Sequence, residues 1–306
     1  MVIKRSKAAG LILALVGIFL LSACSLPATN NIGGQASKGT IPVVAAENFY
    51  GDIVSQIGGK YVSVTNILSD PNVDPHTYES NVNQVKAVAK ARLIVANGGG
   101  YDDWMDKLIS STPDESRRVL KGFDLATVKL PNNEHVWYSP VNARTIATAI
   151  ADNLKAIDAR HAAAYETNLQ RFKSESMKID QKLAAIKARY AGTPIGLTET
   201  ILLYQTGSMG LNVLTPAEFQ KAMAEDNDPP ASTVITTENQ ITRRQIKVLI
   251  YNQQTQSTII TRLQSTAQAQ HIPTIAVTET MPGNQTYQSW MIGQLNALEQ
   301  GLGQNK

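Results

Sequence analysis

Short apolar runs alternate with stretches of helical spacing along most of this chain. In the first half the runs are Ile41–Ala46 ("IPVVAA"), Val62–Leu68 ("VSVTNIL"), Arg92–Asn97 ("RLIVAN") and Ala126–Leu130 ("ATVKL"). Helix-like spacing fills Phe49–Ile57, Asn81–Ala91 and Tyr101–Ile109. In the second half the runs are Pro194–Thr198, Asn212–Leu214, Lys247–Tyr251 and Pro273–Thr278. The helical stretches there are Leu202–Met209, Pro216–Ala224, Thr233–Arg244, Thr255–Ala269 and Tyr287–Glu299. Continuous apolar runs separated by helices predict an α/β fold with mainly parallel sheets, roughly four strands in each half.

The pattern changes between the halves. Ser139-Pro140 predicts a helix start, with Ser as cap and Pro in the first turn. Ile146, Ile150, Leu154 and Ile157 form its stripe. A longer helix is expected over 159–190, where Tyr165, Leu169, Phe172, Ile179, Leu183, Ile186 and Tyr190 recur at spacings of three, four and seven. Gly192 suits its C-terminal end. Such a helix is either half of a coiled coil, a long helix within one domain, or a beam joining two lobes. About 265 residues of foldable sequence suit two lobes. The expected boundaries are 41–158 for the first lobe, 159–190 for the linking helix and 191–306 for the second lobe.

The first 23 residues read differently. "MVIKRSKAAG" carries Lys4, Arg5 and Lys7, and the apolar run Leu11–Ala23 follows. That is a signal-peptide pattern, too short for a comfortable span of about 20 apolar residues. "LSAC" (Leu21–Cys24) resembles a lipobox, which implies lipidation at Cys24; a plain secretory signal or membrane anchor is the alternative. Cys24 is the sole cysteine, which excludes an intrachain disulfide and a thiolate metal cluster. Residues 24–40 are polar and small, as in a flexible tether. The net charge is only +3 and no basic patch with interleaved aromatics occurs, so nucleic acid is not an expected partner.

Candidate chemistry gathers at strand exits. "PIGLTE" ends at Glu199 and "PTIAVTE" at Glu279, and open α/β sheets bind ligands at the carboxyl ends of their strands. The first half adds His76 in "DPHTYE" and His135 in "NEHVWYSP". Two neutral imidazoles and two carboxylates balance a divalent cation with a nitrogen/oxygen set suited to Zn²⁺ or Mn²⁺. The plainer readings are a solvated loop for His76, packing against Trp137 for His135, and caps on the following helices for both glutamates. Glu47 is a third strand-end carboxylate, expected to serve the next helix's N-terminus. His161 is expected to face solvent, and His271 to lie against helix-end carbonyls. No His-Glu-x-x-His helix, Gly-x-Ser-x-Gly elbow or P-loop occurs, and "NGGGYDDW" lacks dinucleotide-binding spacing.

Together "DPHTYE", "NGGGYDDWMDKLI", "EHVWYSP", the helix with "YETNLQRF" and Glu199 ahead of "YQTGSMGL" resemble one family. It is the metal-binding lipoproteins of ATP-binding-cassette importers for zinc and manganese, and the similarity runs from Ile41 to the C-terminal helix. The resemblance implies two α/β lobes joined by one long helix, with a transported metal ion between them. It implies His76, His135, Glu199 and Glu279 as ligands, with Glu279 standing where the family usually has Asp. The His/Asp/Glu-rich loop of some zinc members is absent, which favours manganese slightly. It further implies a non-enzymatic monomer, lipid-anchored on the extracytoplasmic face of the cell membrane and partnered by a permease and its ATPase. Rival readings are a binding protein for a metal chelate, a lipid-anchored hydrolase using Glu199 and Glu279, and an adhesin with a structural metal.

Overall fold

A computed structural model describes residues 39–76, 78–255 and 257–304. The expected signal segment, Cys24 and all but the end of the tether lie outside the described residues. One sheet contains β1 (Ile41–Glu47), β2 (Val62–Leu68), β3 (Leu93–Ala96) and β4 (Arg118–Lys121), ordered β2-β1-β3-β4. The other contains β5 (Pro194–Leu197), β6 (Asn212–Val213), β7 (Leu249–Asn252) and β8 (Thr274–Val277), ordered β6-β5-β7-β8. Every pairing is parallel. The strand order reverses between β1 and β3 and again between β5 and β7, so each sheet has a switch point at its carboxyl edge.

The helices of the first half are α1 (Asn48–Gly58), α2 (Val82–Lys90), α3 (Asp103–Ser110), α4 (Gly122–Leu125) and α5 (Pro140–Ile157). Then come α6 (Ala162–Tyr190), α7 (Leu203–Met209), α8 (Ala217–Ala224), α9 (Ala231–Thr242), α10 (Thr258–Ala269) and α11 (Tyr287–Gly303). Local chemistry sets several starts. Asn81 and Gln84 form a reciprocal capping box on α2, and the Ser139 hydroxyl accepts from Asn142 N ahead of Pro140 on α5. α6 runs for 29 residues, about 44 Å at 1.5 Å per residue, and joins the two sheets. Its buried stripe, from Tyr165 to Tyr190, is the one its spacing predicts.

Three local expectations change. Ala126–Leu130 is not a strand; Asn142 holds it as a loop, accepting from Thr127 N (3.1 Å) and Val128 N (2.9 Å) and donating to Val128 O (2.7 Å). The fourth strand is instead Arg118–Lys121, an edge strand whose apolar run is only two residues long, Val119 and Leu120. His161 is not simply solvated: its ring stacks on Tyr61 at 3.8 Å and its Nδ1 lies 2.5 Å from Asp158 Oδ2.

The core is continuous. One cluster of buried residues takes in Val43 and Phe49 from the first half, Ile146 and Phe172 from α5 and α6, and Ile195 and Met291 from the second half. Smaller clusters lie under α2 and α3 and under α8 to α10. Buried hydrogen bonds also join the halves: Asn48 Nδ2 to Met281 O (2.6 Å), Met281 N to Asn48 Oδ1 (3.0 Å), Tyr138 Oη to Thr278 O (2.6 Å) and Tyr287 Oη to Trp137 O (2.6 Å). Separating the halves would strand these buried groups, at about 1–3 kcal/mol each. The consequence is a stiff pair of sheets with their carboxyl edges held in register.

Candidate metal centre

Four loops meet between those edges. Glu279 follows β8 by two residues and is 1% exposed. Its backbone N donates to Gln254 Oε1 at 2.6 Å, and its Oε1 accepts from Asn252 Nδ2 at 2.7 Å. Both supporting side chains come from the end of β7 or the turn after it. Glu279 Oε2 has no hydrogen-bond partner among the described residues. It faces His76 Nε2 at 3.8 Å and His135 Nε2 at 3.9 Å, and those two nitrogens are themselves buried without hydrogen-bond partners. Buried polar atoms are nearly always paired, so three orphans facing one another call for a ligand.

His135 is fully buried, and its tautomer is set by its neighbours. Asn133 Nδ2 donates to Thr200 O at 2.8 Å, which turns the amide oxygen towards His135. That oxygen accepts from His135 N and lies 3.0 Å from His135 Nδ1. The proton therefore sits on Nδ1, and Nε2 presents its lone pair to the centre. His76 is placed by its loop. Asp74 Oδ1 accepts from His76 N at 2.8 Å, Trp104 Nε1 donates to Pro75 O at 3.1 Å, and Tyr101 packs edge-on against the imidazole.

Glu134 also reaches the site, with Oε1 3.8 Å from His76 Nε2. His76, Glu134 and His135 each offer a ligand atom within 4.8 Å of the others. Glu199 is placed differently. It is 4% exposed, its Oε2 accepts from Asn252 Nδ2 at 3.0 Å, and its Oε1 accepts from Thr255 Oγ1. One Asn252 amide nitrogen therefore touches both Glu199 and Glu279. Thr255 is thereby turned inwards, and α10 begins only at Thr258, after the Ser257 cap.

The carboxylates divide by environment. Burial pushes Glu279 up, but His135 and His76 outweigh it and hold this carboxyl below its usual range. Burial pushes Glu199 well up, and the nearby charge of Glu279 adds to that. His135 is drawn down by burial yet ends above the ordinary imidazole value because Glu279 and Glu134 face it. Asp74 is raised to about 6, chiefly by burial and then by Glu279. Glu47 does not cap α1, whose N-terminus receives no side-chain hydrogen bond. Glu47 is fully buried, burial plus Asp102 push its carboxyl well up, and neither of its oxygens has a hydrogen-bond partner among the described residues. Asp102 is anchored by Asn97 N (2.7 Å) and Gly98 N (2.6 Å).

Of the four residues singled out in the sequence, His76, His135 and Glu279 converge directly, and Glu199 joins them through Asn252. Glu134, Asn252 and Gln254 were missed. Glu134 was legible as the neighbour of His135 in "NEHVW". Asn252 and Gln254 lie at or just beyond a β7 end in "LIYNQQT", where an amide draws less notice than a carboxylate.

Comparison with known proteins agrees with this architecture. The sequence profile of the family described as zinc-uptake complex component A, periplasmic, matches residues 43–301. A putative metal-binding protein of Treponema pallidum (strain Nichols) is 26% identical over 58% of this chain and 62% of its own length. The manganese ABC transporter substrate-binding lipoprotein PsaA of Streptococcus mitis is 27% identical over 58% of this chain and 60% of its own. The chain thus spans about three fifths of the length of these curated relatives. The periplasmic zinc-binding protein TroA from Treponema pallidum superposes with a TM-score of 0.75 at 17% identity, covering 86% of this chain and 99% of that one. At that identity the likeness speaks for the fold.

Proposed function

Because this chain belongs to the zinc-uptake complex component A family, we propose that it is the substrate-binding component of an ABC importer, with a divalent transition-metal ion as cargo. The observation that carries this reading is the set of orphaned atoms His76 Nε2, His135 Nε2 and Glu279 Oε2, 3.8 and 3.9 Å apart across the carboxylate. An ion with bonds of about 2.1 Å in tetrahedral geometry holds its ligand atoms about 3.4 Å apart. A contraction of a few tenths of an ångström brings both imidazole nitrogens to that distance from the Glu279 oxygen. Imidazole and carboxylate donors suit zinc and manganese alike. The carboxylates favour manganese, while zinc generally binds a given site more tightly. The names of the relatives, manganese for PsaA and zinc for TroA, span the same pair.

Burial supports cargo binding over catalysis. Glu199 and Glu279 are bridged by one amide nitrogen, at 3.0 and 2.7 Å, which leaves no room for a sugar between them. The cavity beside Glu199 and Asn252 measures only ≈ 10 Å³, too small for a chelate. The larger groove, ≈ 820 Å³, is lined by Tyr251, Thr258 and Gln264 and includes none of His76, His135 or Glu279. In this reading the permease and its ATPase are the partners. Lipid at Cys24 tethers a monomer to the outer face of the membrane, and that tether raises the effective concentration at the permease.

Elemental analysis of the purified chain, followed by Mn²⁺ and Zn²⁺ titration of the metal-free form, tests the reading. One ion per chain is expected, with His76→Ala and Glu279→Ala each weakening binding at least tenfold. Stoichiometry far below one for both metals would sink it.

A further inference from the structure

Helices α9 and α10 end in the same way. Arg244 N donates to Ile241 O (2.9 Å) and Gln245 N to Gln240 O (2.8 Å), while His271 N donates to Gln268 O (3.0 Å) and Ile272 N to Ala267 O (2.8 Å). Each is a Schellman turn, whose left-handed position belongs by preference to glycine. After α6 and α7 the left-handed residue is glycine, Gly192 (φ 80°) and Gly210 (φ 64°). After α9 and α10 it is Arg244 (φ 51°) and His271 (φ 56°), where a side chain carries a steric cost. That cost is kept at two matched positions, both with basic side chains, which points to a use for those side chains.

Both turns open onto one place. A cavity of ≈ 210 Å³ at the amino edge of the second sheet is lined by Arg244, Ile246, Lys247, Gln270, His271 and Ile272. No carboxylate lines it among the described residues. Arg244 Nε donates to Gln270 Oε1 at 3.3 Å, and the two terminal guanidinium nitrogens form no hydrogen bond among the described residues. Helix-end carbonyls would repel an anion, but those of Gln240, Ile241, Ala267 and Gln268 are occupied by the turn bonds. His271 and Ile272 also line an adjoining groove of ≈ 670 Å³. Its walls include Tyr251 and the neutral hydrogen-bonding side chains of Gln264, Gln268, Thr274 and Gln304.

We propose that this cavity binds the phosphate group of a polyhydroxylated phosphate ester, whose neutral polyol part lies in the adjoining groove. The Arg244 fork takes two phosphate oxygens, and Lys247 and His271 supply further donors. The groove offers amides and hydroxyls without charge, which suits hydroxyl groups. The cavity lies at the amino ends of β7 and β8, and the metal centre lies at the carboxyl ends. The four residues of β7 alone put about 13 Å between them. The site therefore stands independently of the cargo reading.

The test uses the full chain in detergent at constant pH and ionic strength. Carbethoxylation of His271 by diethyl pyrocarbonate, followed by mass spectrometry, reports occupancy. Inorganic phosphate and glycerol 3-phosphate are the probes. Both are expected to protect His271 saturably and to leave His161, which stacks on Tyr61, unchanged. Glycerol 3-phosphate is expected to bind at least threefold tighter than phosphate, and equal affinity overturns the part given to the groove. Arg244→Gly relieves the left-handed position, so it is expected to melt no lower than the parent and yet to bind both probes at least tenfold more weakly. Lys247→Gln is expected to lose at least threefold. Arg189→Gln, whose parent guanidinium is held by Glu299 at 2.7 Å, is expected to bind as the parent does. A loss in Arg189→Gln equal to that of Arg244→Gly would show a diffuse charge effect and overturn the site. Protection by chloride as good as that by phosphate overturns it too, as does Arg244→Gly binding within twofold of the parent. Full chain in phosphatidylcholine vesicles with and without phosphatidylglycerol then identifies the source. Protection of His271 by the anionic lipid assigns the phosphate to a lipid headgroup, and protection by glycerol 3-phosphate alone assigns it to a soluble or polymeric ester.

Discussion

Gln254 Nε2 donates to the carbonyl of Val73 at 2.8 Å, across the two halves of the molecule. The same buried side chain accepts from Glu279 N (2.6 Å) and Thr280 N (3.2 Å) and donates to Thr280 Oγ1 (3.1 Å). One amide thus ties the backbone of Glu279 to the loop that carries His76. Any shift of Glu279 towards an ion is transmitted to that loop through a single rigid group.

Gln254→Leu keeps the volume and removes every one of those bonds. Two buried backbone N–H groups lose their acceptor, so a loss of about 2–4 kcal/mol in stability is expected. Metal affinity is expected to fall about 10- to 100-fold, the usual range for a residue that orients a ligand. Denaturant melts and metal titration check the two effects separately. Unchanged affinity in a destabilised variant would show that Gln254 braces the fold without placing the ligands.

Asn133→Ala removes the acceptor that keeps the His135 proton on Nδ1. The imidazole then samples both tautomers, and about a 10- to 100-fold loss of metal affinity is expected. Nitrogen chemical shifts of His135 in the metal-free protein provide the independent readout. The parent should show one tautomer and Asn133→Ala a mixture.

The metal-free protein should be more stable near pH 5.5 than near pH 8. Folding raises His135, Glu199, Glu47 and Asp74, the last to about 6. Groups raised on folding bind more protons in the native state than in the unfolded chain, so stability falls as pH climbs through their folded values. Glu279 is lowered instead, and its contribution is lost only as pH falls below the ordinary carboxylate range. Glu47→Gln cannot titrate and should flatten the decline. Melting temperature against pH measures both, and a parent profile that rises from pH 5.5 to 8 would contradict the assignment.

Bound metal should reverse that slope. Coordination needs neutral imidazoles, so affinity declines as pH falls through the raised value of His135, beginning above the ordinary 6.5. Zn²⁺ titrations between pH 8 and 5.5 are expected to show release of ligand protons and a steep loss of affinity on the acid side.

Substitution at Gly122 probes the support behind Glu134. A Cβ there would lie 2.1 Å from Tyr50 Oη, the group that holds Asn97. Gly122→Ala is expected to cost about 1–3 kcal/mol, the range for overpacking in a tight core. It should also weaken metal binding by freeing Asn97 from the Glu134 carbonyl. Melting and titration together separate the two effects.

The architecture was legible because burial on both faces writes itself into a parallel strand as a continuous apolar run. Ile41–Glu47 and Leu93–Ala96 show this, and the stripe from Tyr165 to Tyr190 announced α6 in the same way. Edge strands escape that logic. Arg118–Lys121 pairs on one side only and needs no apolar signature, whereas Ala126–Leu130 has the signature and is held as a loop by Asn142. By itself the sequence determined the alternation of strands and helices and the long connecting helix, and it offered two imidazoles and strand-end carboxylates as candidate ligands. These follow from local periodicity and from residue chemistry. Only the tertiary structure decided which of those groups meet. Separations of tens of residues say nothing about whether Glu134 or Glu199 faces His76. Hydrogen bonds made within each half place these groups, Asn252 and Thr255 holding the Glu199 carboxylate, Asn97 the Glu134 carbonyl and Asn133 the His135 imidazole.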